Sequence, residues 1–394
     1  MRAYLDYNAT TPVDPAVLDA MIPFLADNFG NASSVHSAGQ RARTAVDRAR
    51  DSVAALLGAK PSEIVFTSGG TEADNLAIFG IVLAVAAKSS GTRAHVVTTA
   101  IEHHAILNSC QALEAQGFDV SYVPVGSTGI VDPAEIRRAL RPETILISVM
   151  QANNELGTIQ PIEEIGRMAA EADVYLHSDA VQSAGKIPIH VDELGVDLLS
   201  ISAHKIYGPK GVGSLYIRTG TPLAPQSHGG HHERDRRRGT ENVPGIVALG
   251  KAAELAAANL SSEPERVRAQ RDRLEAAILE SVPSVRVNGD RTRRAPNTTN
   301  LSFAAAGGEA MLIALDLLGI ECSTGAACSS GAVEPSHVLL AAGLSPDDAR
   351  SSLRFSLGRQ TTAKEIDHAI ATIPAVVERL RALSPRSATM VTAR

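Results

Sequence analysis

Tryptophan is absent from this chain, and aromatic residues make up only 3% of it. A core built from such a sequence must be mainly aliphatic, and 44% apolar residues are enough to build one. Cysteine is equally scarce: three in 394 residues exclude a disulfide framework. The longest apolar stretch, Ile78 to Ala87, is too short to span a bilayer. Met1-Arg-Ala-Tyr-Leu-Asp6 has no signal-peptide character. Positive charge is not in excess either: acidic residues outnumber basic ones by 43 to 37, for a net charge of −6. That argues against a dedicated nucleic-acid binder. There is no repeat of fixed period and no Walker phosphate loop. These exclusions leave a protein expected in the cytoplasm with reduced thiols, engaging no membrane and no nucleic acid. Its length suggests about two or three domains.

What is there is a rhythm. Asp14-Pro15 reads as a helix cap followed by proline at the first helical position, opening a helix over 16–26. A second helix is expected over 41–57. From residue 63 onward, β-rich apolar runs at 64–66, 95–99, 120–125, 144–149, 174–177, 196–202 and 214–217 alternate with helical segments. Such alternation means βαβ units and a mostly parallel sheet. Beyond about residue 255 the texture changes to a charged helix opening at Glu263-Pro264, then short strands at 285–287, 299–303 and 352–357. A helix is expected over 309–318. The final helix opens with the capping box Thr362-Ala-Lys-Glu365 and carries Pro374 as a kink. This part reads as a smaller α+β domain, with the last ten residues frayed.

Nearly every polar cluster of the first part falls just after a strand, where an open α/β sheet places its ligands. Ser68-Gly-Gly-Thr71 joins a strand to a helix and suits an anion, although glycine turns are common. Glu102-His103-His104 is either a metal pair or a helix start with one ring facing the site; adjacent histidines on a helix point apart. Asp179 either caps the following turn or pairs with a cofactor's pyridinium nitrogen. Lys205, at the exit of the 196–202 strand, is either a surface lysine opening a turn or a desolvated amine of the Schiff-base kind. Lysine, carboxylate and anion loop together are the three parts of a pyridoxal phosphate site.

His228-Gly-Gly-His-His-Glu-Arg-Asp-Arg-Arg-Arg-Gly-Thr240 reads as a solvated, phosphate-binding or subunit-contact loop. Its histidines fit no standard zinc spacing. Cys328 lies among small residues in Ser323-Thr-Gly-Ala-Ala-Cys-Ser-Ser-Gly331, as a travelling nucleophile requires. Cys110 reads as an inert core residue, and Cys322 as the end of a strand. Arg354 is either an edge residue or the bidentate clamp for a substrate carboxylate.

With these residues in hand the chain resembles the cysteine desulfurases of the pyridoxal phosphate type, class-V aminotransferases of fold type I, in the class serving iron–sulfur assembly. The resemblance runs nearly end to end. It is carried by Tyr4-Leu-Asp-Tyr-Asn-Ala-Thr-Thr-Pro12, Phe66-Thr-Ser-Gly-Gly-Thr-Glu-Ala-Asp-Asn75, Asn153-Asn-Glu155 and Ser178-Asp-Ala-Val-Gln182. Ser202-Ala-His-Lys-Ile-Tyr-Gly-Pro-Lys-Gly211, Arg237 to Thr240, the Cys328 loop with Glu334-Pro-Ser336, and Leu353-Arg-Phe-Ser-Leu-Gly-Arg359 complete it.

The resemblance implies a large domain over 15–255 with a mostly parallel seven-stranded sheet. It implies a small domain formed by 1–14 and 256–394 that carries the catalytic cysteine. Lys205 would hold the cofactor and move the Cα proton, Asp179 would face the pyridine nitrogen, and Gln182 the ring hydroxyl. His103 would stack on the ring and act as acid/base toward the substrate thiol. Thr71, Ser202 and His204 would bind the phosphate, with Gly70 and Glu72 beside them and Thr240 reaching in from the second subunit of a homodimer. Asn154 and Arg354 would hold the carboxylate of L-cysteine. Cys328 would take the sulfur as a persulfide, leave alanine, and swing to a scaffold or other acceptor protein, where it could act as a transient iron–sulfur ligand.

His104 stands where many relatives have lysine, and His231 and Arg238 replace a common glycine and serine. The alternatives are selenocysteine lyase or cysteine sulfinate desulfinase chemistry on the same fold, a sulfur-assembly scaffold without catalysis, and a metal module built on the His228 to His232 loop. Lys205 and Cys328 together favour the desulfurase.

Overall fold

Every residue of Leu198–Ser202 is buried, as in a strand covered on both faces. The computed structural model, which describes residues 1–87, 94–324 and 334–383, places that strand near the middle of a seven-stranded sheet. In chain order the strands are β1 (Ala3–Tyr4), β2 (Ile64–Thr67), β3 (His95–Thr99), β4 (Asp119–Val123), β5 (Thr144–Ser148) and β6 (Tyr175–Asp179). Then come β7 (Leu198–Ser202), β8 (Gly213–Ile217), β9 (Val285–Asn288), β10 (Thr298–Phe303), β11 (Ile320–Glu321) and β12 (Ser352–Ser356). The large sheet runs β2-β8-β7-β6-β5-β3-β4. Only β8 is antiparallel to its neighbours, which makes the sheet mostly parallel, as the alternation implies.

Successive side chains of these strands feed two aliphatic cores. Leu198 and Leu215 pack with Leu76, Ile78 and Ile106 from the helices Gly70–Ala86 and His104–Ala115. Leu199 and Ile201 pack with Val46, Val53 and Leu249 from the helices Ser37–Leu57 and Val243–Asn259. The long helix 243–259, opened by the Asn242 cap and Pro244, is not among the expected elements.

Helix ends follow local chemistry. The Asp14 carboxylate accepts from the amide of Ala16 at 2.9 Å. The first α-helix closes at Met21, earlier than the expected 26, and passes into a short 3₁₀ turn, Ile22–Phe24. The cause is Pro23, which has no amide to continue the ladder. The second helix starts at Ser37 rather than 41, because His36 Nδ1 accepts from the amide of Gly39 at 3.3 Å. It ends on Gly58 at φ +66°.

The second sheet, β12-β10-β9, is antiparallel. The N-terminus joins it: β1 pairs in parallel with β11, and Asp6 bridges to Ser356. Ala3 and Leu5 are buried with Leu301, Phe303 and Phe355. The final helix, Ala363–Leu383, opens with the expected capping box: the Thr362 amide donates to Glu365 at 2.6 Å and the Glu365 amide to Thr362 Oγ1 at 3.3 Å. It runs on through Pro374, because the buried face formed by Ile366, Ala369, Ile373, Val376 and Val377 holds both halves. Among the described residues no single helix is long and apolar enough to cross a membrane.

Candidate active site

Five strand exits meet on one cavity of about 190 Å³. Gly70 and Thr71 follow β2, His103 follows β3, and Met150 and Asn154 follow β5. Asp179, Val181 and Gln182 come from the end of β6, and Ser202, His204 and Lys205 from the end of β7. The helix start contributes Asp74, which the sequence reading overlooked.

One end is built for an anion. Gly69 takes φ +157°, a conformation that suits glycine. A Cβ on Gly70 would lie 2.8 Å from Val181 Cγ2, so only glycine leaves this cradle open. The first amides of the helix that begins there have no intrahelical partner. Thr71, Ser202 and His204 surround them. Burial and the Lys205 charge push the His204 imidazole down to about 4, so it serves as a neutral hydrogen-bonding group; its Nδ1 meets Thr10 Oγ1 at 3.1 Å.

Glu72 does not line the cavity. Its carboxylate accepts from the Ser68 amide at 2.6 Å and from Arg237 Nε at 2.8 Å, so it braces the loop from outside. An anion site gains nothing from a second negative charge facing it. The loop bearing Arg237 is anchored by a buried pair that the sequence does not advertise: Arg50 donates twice to Glu233, at 2.9 and 2.7 Å, and the Phe66 amide donates to the same carboxylate. Thr240, at the end of this loop, is exposed and outside the cavity wall.

At the other end stands Asp179. Its Oδ1 caps the Val181 amide at 2.8 Å, as the first sequence reading expects, and the residue lines the cavity. Burial raises its pKa and the Lys205 charge pulls it back. Asp74 is pushed well above the carboxylate range by burial and by Asp179. Its Oδ1 has no hydrogen-bond partner among the described residues and lies 3.7 Å from His177 Nε2, whose ring burial keeps neutral. Burial raises both carboxyls of this pair; Asp74 is raised further by Asp179, whereas Asp179 has the Lys205 charge to offset its burial.

Lys205 lies between these ends. Burial and then Arg354 push its amine down to about 8. Its Nζ donates to the carbonyl oxygens of Asn8 at 2.5 Å and Ala9 at 2.9 Å. His103 is open to the cavity mouth, yet the protein around it and the Lys205 charge hold its pKa below the ordinary value. Its Nδ1 accepts from the Ala105 amide at 3.1 Å, so the neutral ring carries its proton on Nε2. Gln182 donates to the Asn8 carbonyl at 2.9 Å and accepts from Lys186 at 3.0 Å.

Arg354 does not face water. It is 4% exposed, on β12, with Nη1 donating to the Asn154 carbonyl at 2.9 Å and Nη2 to Asp6 at 2.6 Å. Its Nε is buried without a partner among the described residues, as is Asn154 Oδ1. A glycine cradle suited to a phosphate, a carboxylate and a depressed amine on one cavity wall fit pyridoxal phosphate; Arg354 is not among the lining residues and meets the site through the Asn154 carbonyl.

The sequence assigned three cysteines. Cys110 is buried, with its thiol pushed up to about 12, and Cys322 is buried and raised by desolvation, so both are inert. Cys328 lies outside the described residues, as do the last ten. The His228 to His232 loop forms no metal centre: among the described residues no group of three or more histidine, cysteine, aspartate or glutamate side chains is placed to hold a metal ion. His104 stacks near His337, with rings 4.8 Å apart.

Behind His103, Glu102 is fully buried and accepts from Thr99 Oγ1 at 2.6 Å and the Met150 amide at 3.0 Å. Burial pushes its pKa to about 8. In the unfolded chain it titrates near about 4.3, so between these values the folded state binds the extra proton. Stability on this account is full below the lower value and falls as pH rises through the higher one, by at most about 1.4 kcal/mol per pH unit. Glu102→Gln is therefore expected to flatten the decline of Tm between about pH 5 and 8, as thermal melts across that range would register; an unchanged slope would refute it.

Comparison with known proteins places these features in context. The Aminotransferase class-V family model matches residues 3–368. The chain is 50% identical over 384 residues to "Cysteine desulfurase IscS" of Dictyoglomus turgidum, covering 98% of this chain and 96% of that one. It is 49% identical over 382 residues to the protein of the same name from Methanosarcina thermophila, covering 97% and 93%. A solved "NIFS-LIKE PROTEIN" superposes with a TM-score of 0.89 at 39% identity, covering 96% of this chain and all 100% of that one. "SspA in complex with cysteine" gives 0.80 at 40% identity, with 90% and 98% covered.

Proposed function

The chain belongs to the class-V aminotransferase family and is a pyridoxal phosphate-dependent cysteine desulfurase; from that premise we propose how its own residues divide the reaction. The convergence of Lys205, Asp179 and the Gly70 cradle on one cavity is the observation that carries the assignment. Bound pyridoxal phosphate supplies an electron sink for the Cα carbanion of cysteine.

Arg354 and Asn154 hold the substrate carboxylate, the guanidinium through the donor it leaves unpaired in the buried site. Lys205, with a pKa near 8, is partly neutral at physiological pH; it takes the Cα proton and returns one. Asp179 would pair with the ring nitrogen of the bound cofactor, and Asp74 lines the same cavity. His103 offers the proton on Nε2, and acting as a base at that atom would require giving up its cap on Ala105. Cys328 attacks the substrate sulfur: the C–S bond of L-cysteine breaks, an S–S bond forms on Cys328, and L-alanine leaves, so atoms balance without an oxidant. Sulfur then passes from the persulfide to an acceptor of iron–sulfur cluster or thio-cofactor biosynthesis.

The enzyme works as a homodimer in this reading, with Thr240 completing the phosphate site of the partner. Supporting this, Thr240 is exposed and stands outside its own cavity, and Leu18, Ile22, Leu25, Phe29 and Val35 expose apolar surface in one N-terminal stretch. An iron–sulfur scaffold protein is the proposed sulfur acceptor. The test is direct: protein saturated with pyridoxal phosphate and given L-cysteine and a reductant should release alanine and sulfide in equal amounts. Alanine without sulfide, or neither product, would overturn the assignment.

A further inference from the structure

The N-terminal segment runs beside Lys205 and is fixed from many sides. The Asn8 amide donates to Ser356 Oγ at 2.9 Å. The Asn8 side chain donates to the Asn154 carbonyl at 3.0 Å and to Thr298 Oγ1 at 2.9 Å, and its Oδ1 accepts from Asn297 at 2.9 Å. Thr11 is tied to the carbonyl of His204, beside the lysine. This net reaches two strands of the small sheet, the segment after β5 and the active-site turn. Its outcome is that two carbonyls, of Asn8 and Ala9, point at Lys205 Nζ.

We propose that Asn8 is a positioning residue for catalysis: it fixes two backbone carbonyls as the seat in which the Lys205 amine is held whenever that amine is free to move protons. A neutral primary amine has two N–H bonds and one lone pair. Two fixed acceptors take both N–H bonds and leave the lone pair along the one remaining tetrahedral direction. After the amine gains a proton, the third N–H occupies that same direction. One seat thus aims the lysine both as base and as acid, which removal and return of a proton at a single carbon require. Gln182 donates to the same Asn8 carbonyl, so the residue expected at the ring hydroxyl shares the frame.

The charged and titratable neighbours of Lys205 are Asp179, Asp6, Arg354, His103, His204 and Lys186. Asn8 is uncharged, so Asn8→Ala changes none of them. Carbonyl acceptors favour the ammonium over the amine; loosening them lowers the amine's pKa.

The experiment follows exchange of the Cα proton of L-alanine into deuterated water by nuclear magnetic resonance, across pH, with the holoenzyme. Asn8→Ala is expected to retain cofactor, to slow the plateau exchange rate by about ten- to a hundredfold, and to move the rising limb of the pH profile to lower pH. Thr298→Val, which removes one anchor of Asn8 without touching the segment, should shift both in the same direction by less; it decides the matter if Asn8→Ala does not fold. A parent-like profile, a slower plateau with an unmoved limb, or a limb moved upward would each overturn the proposal. The inference rests on the cofactor site assigned above, and the two failures are distinguishable: were that site wrong, the unaltered protein would itself neither retain cofactor nor exchange the proton.

Discussion

Lys205→Ala is expected to lower kcat for L-cysteine by on the order of a thousandfold or more, to no detectable alanine in a steady-state assay. The reason lies in how the side chain is placed. Burial and Arg354 bring its amine down to about 8, close enough to working pH for one group to take a proton and give it back. The two histidines on the cavity wall lie lower: burial, and then the Lys205 charge, hold His204 and His103 at about 4. Lys205→Arg would keep a cation but hold it fully protonated, with a pKa above about 12, so it should be as inactive as the alanine variant. Small primary amines added to Lys205→Ala should restore part of the rate, because they can enter the cavity and supply the missing base. Wild-type-like turnover in Lys205→Ala would refute the mechanism.

Cys328→Ala should leave the protein yellow with cofactor and still able to exchange the Cα proton of alanine, yet lower sulfide release from L-cysteine by at least about a hundredfold, the low end of what removing a catalytic group costs. The other two thiols cannot take over: Cys110 and Cys322 are buried and raised well above the usual thiol range. Mass spectrometry of the unaltered enzyme after one turnover should show one added sulfur on the peptide containing Cys328, and none in the variant. Normal desulfuration by Cys328→Ala would move the chain toward the lyase chemistry that needs no loop thiol.

Much of this site was legible because its parts are local. Gly70, His103, Asn154 and Lys205 each follow a strand by a few residues and Asp179 ends one, and a strand exit can be recognised from the apolar run before it. Asp74 left a fainter trace: it sits one helical turn after Gly70, on the face that Gly70 presents to the cavity, and only the spacing of four hints at that. Asn8, Asp6 and the Arg50–Glu233 pair left none. Their partners are distant in sequence, and an asparagine or a glutamate in a polar motif looks the same whether it faces water or a buried net. The role of Glu72 was misplaced for a related reason, since its partner Arg237 is far along the chain. The helix boundaries that slipped did so at Pro23 and His36, where a missing amide and a side-chain cap outweighed the apolar pattern.

The pairing of Ala3 with Ile320 and of Asp6 with Arg354 and Ser356 has a consequence for biosynthesis. A ribosome adds about 5–20 residues per second, and the first residues to emerge must wait for nearly the last before they find their places. A nascent chain released short of residue 354 lacks the Arg354 and Ser356 partners of its leading end, so the seat of the lysine is expected to be incompletely fixed. The seat of the lysine is therefore expected to reach its final form only in chains translated almost to completion.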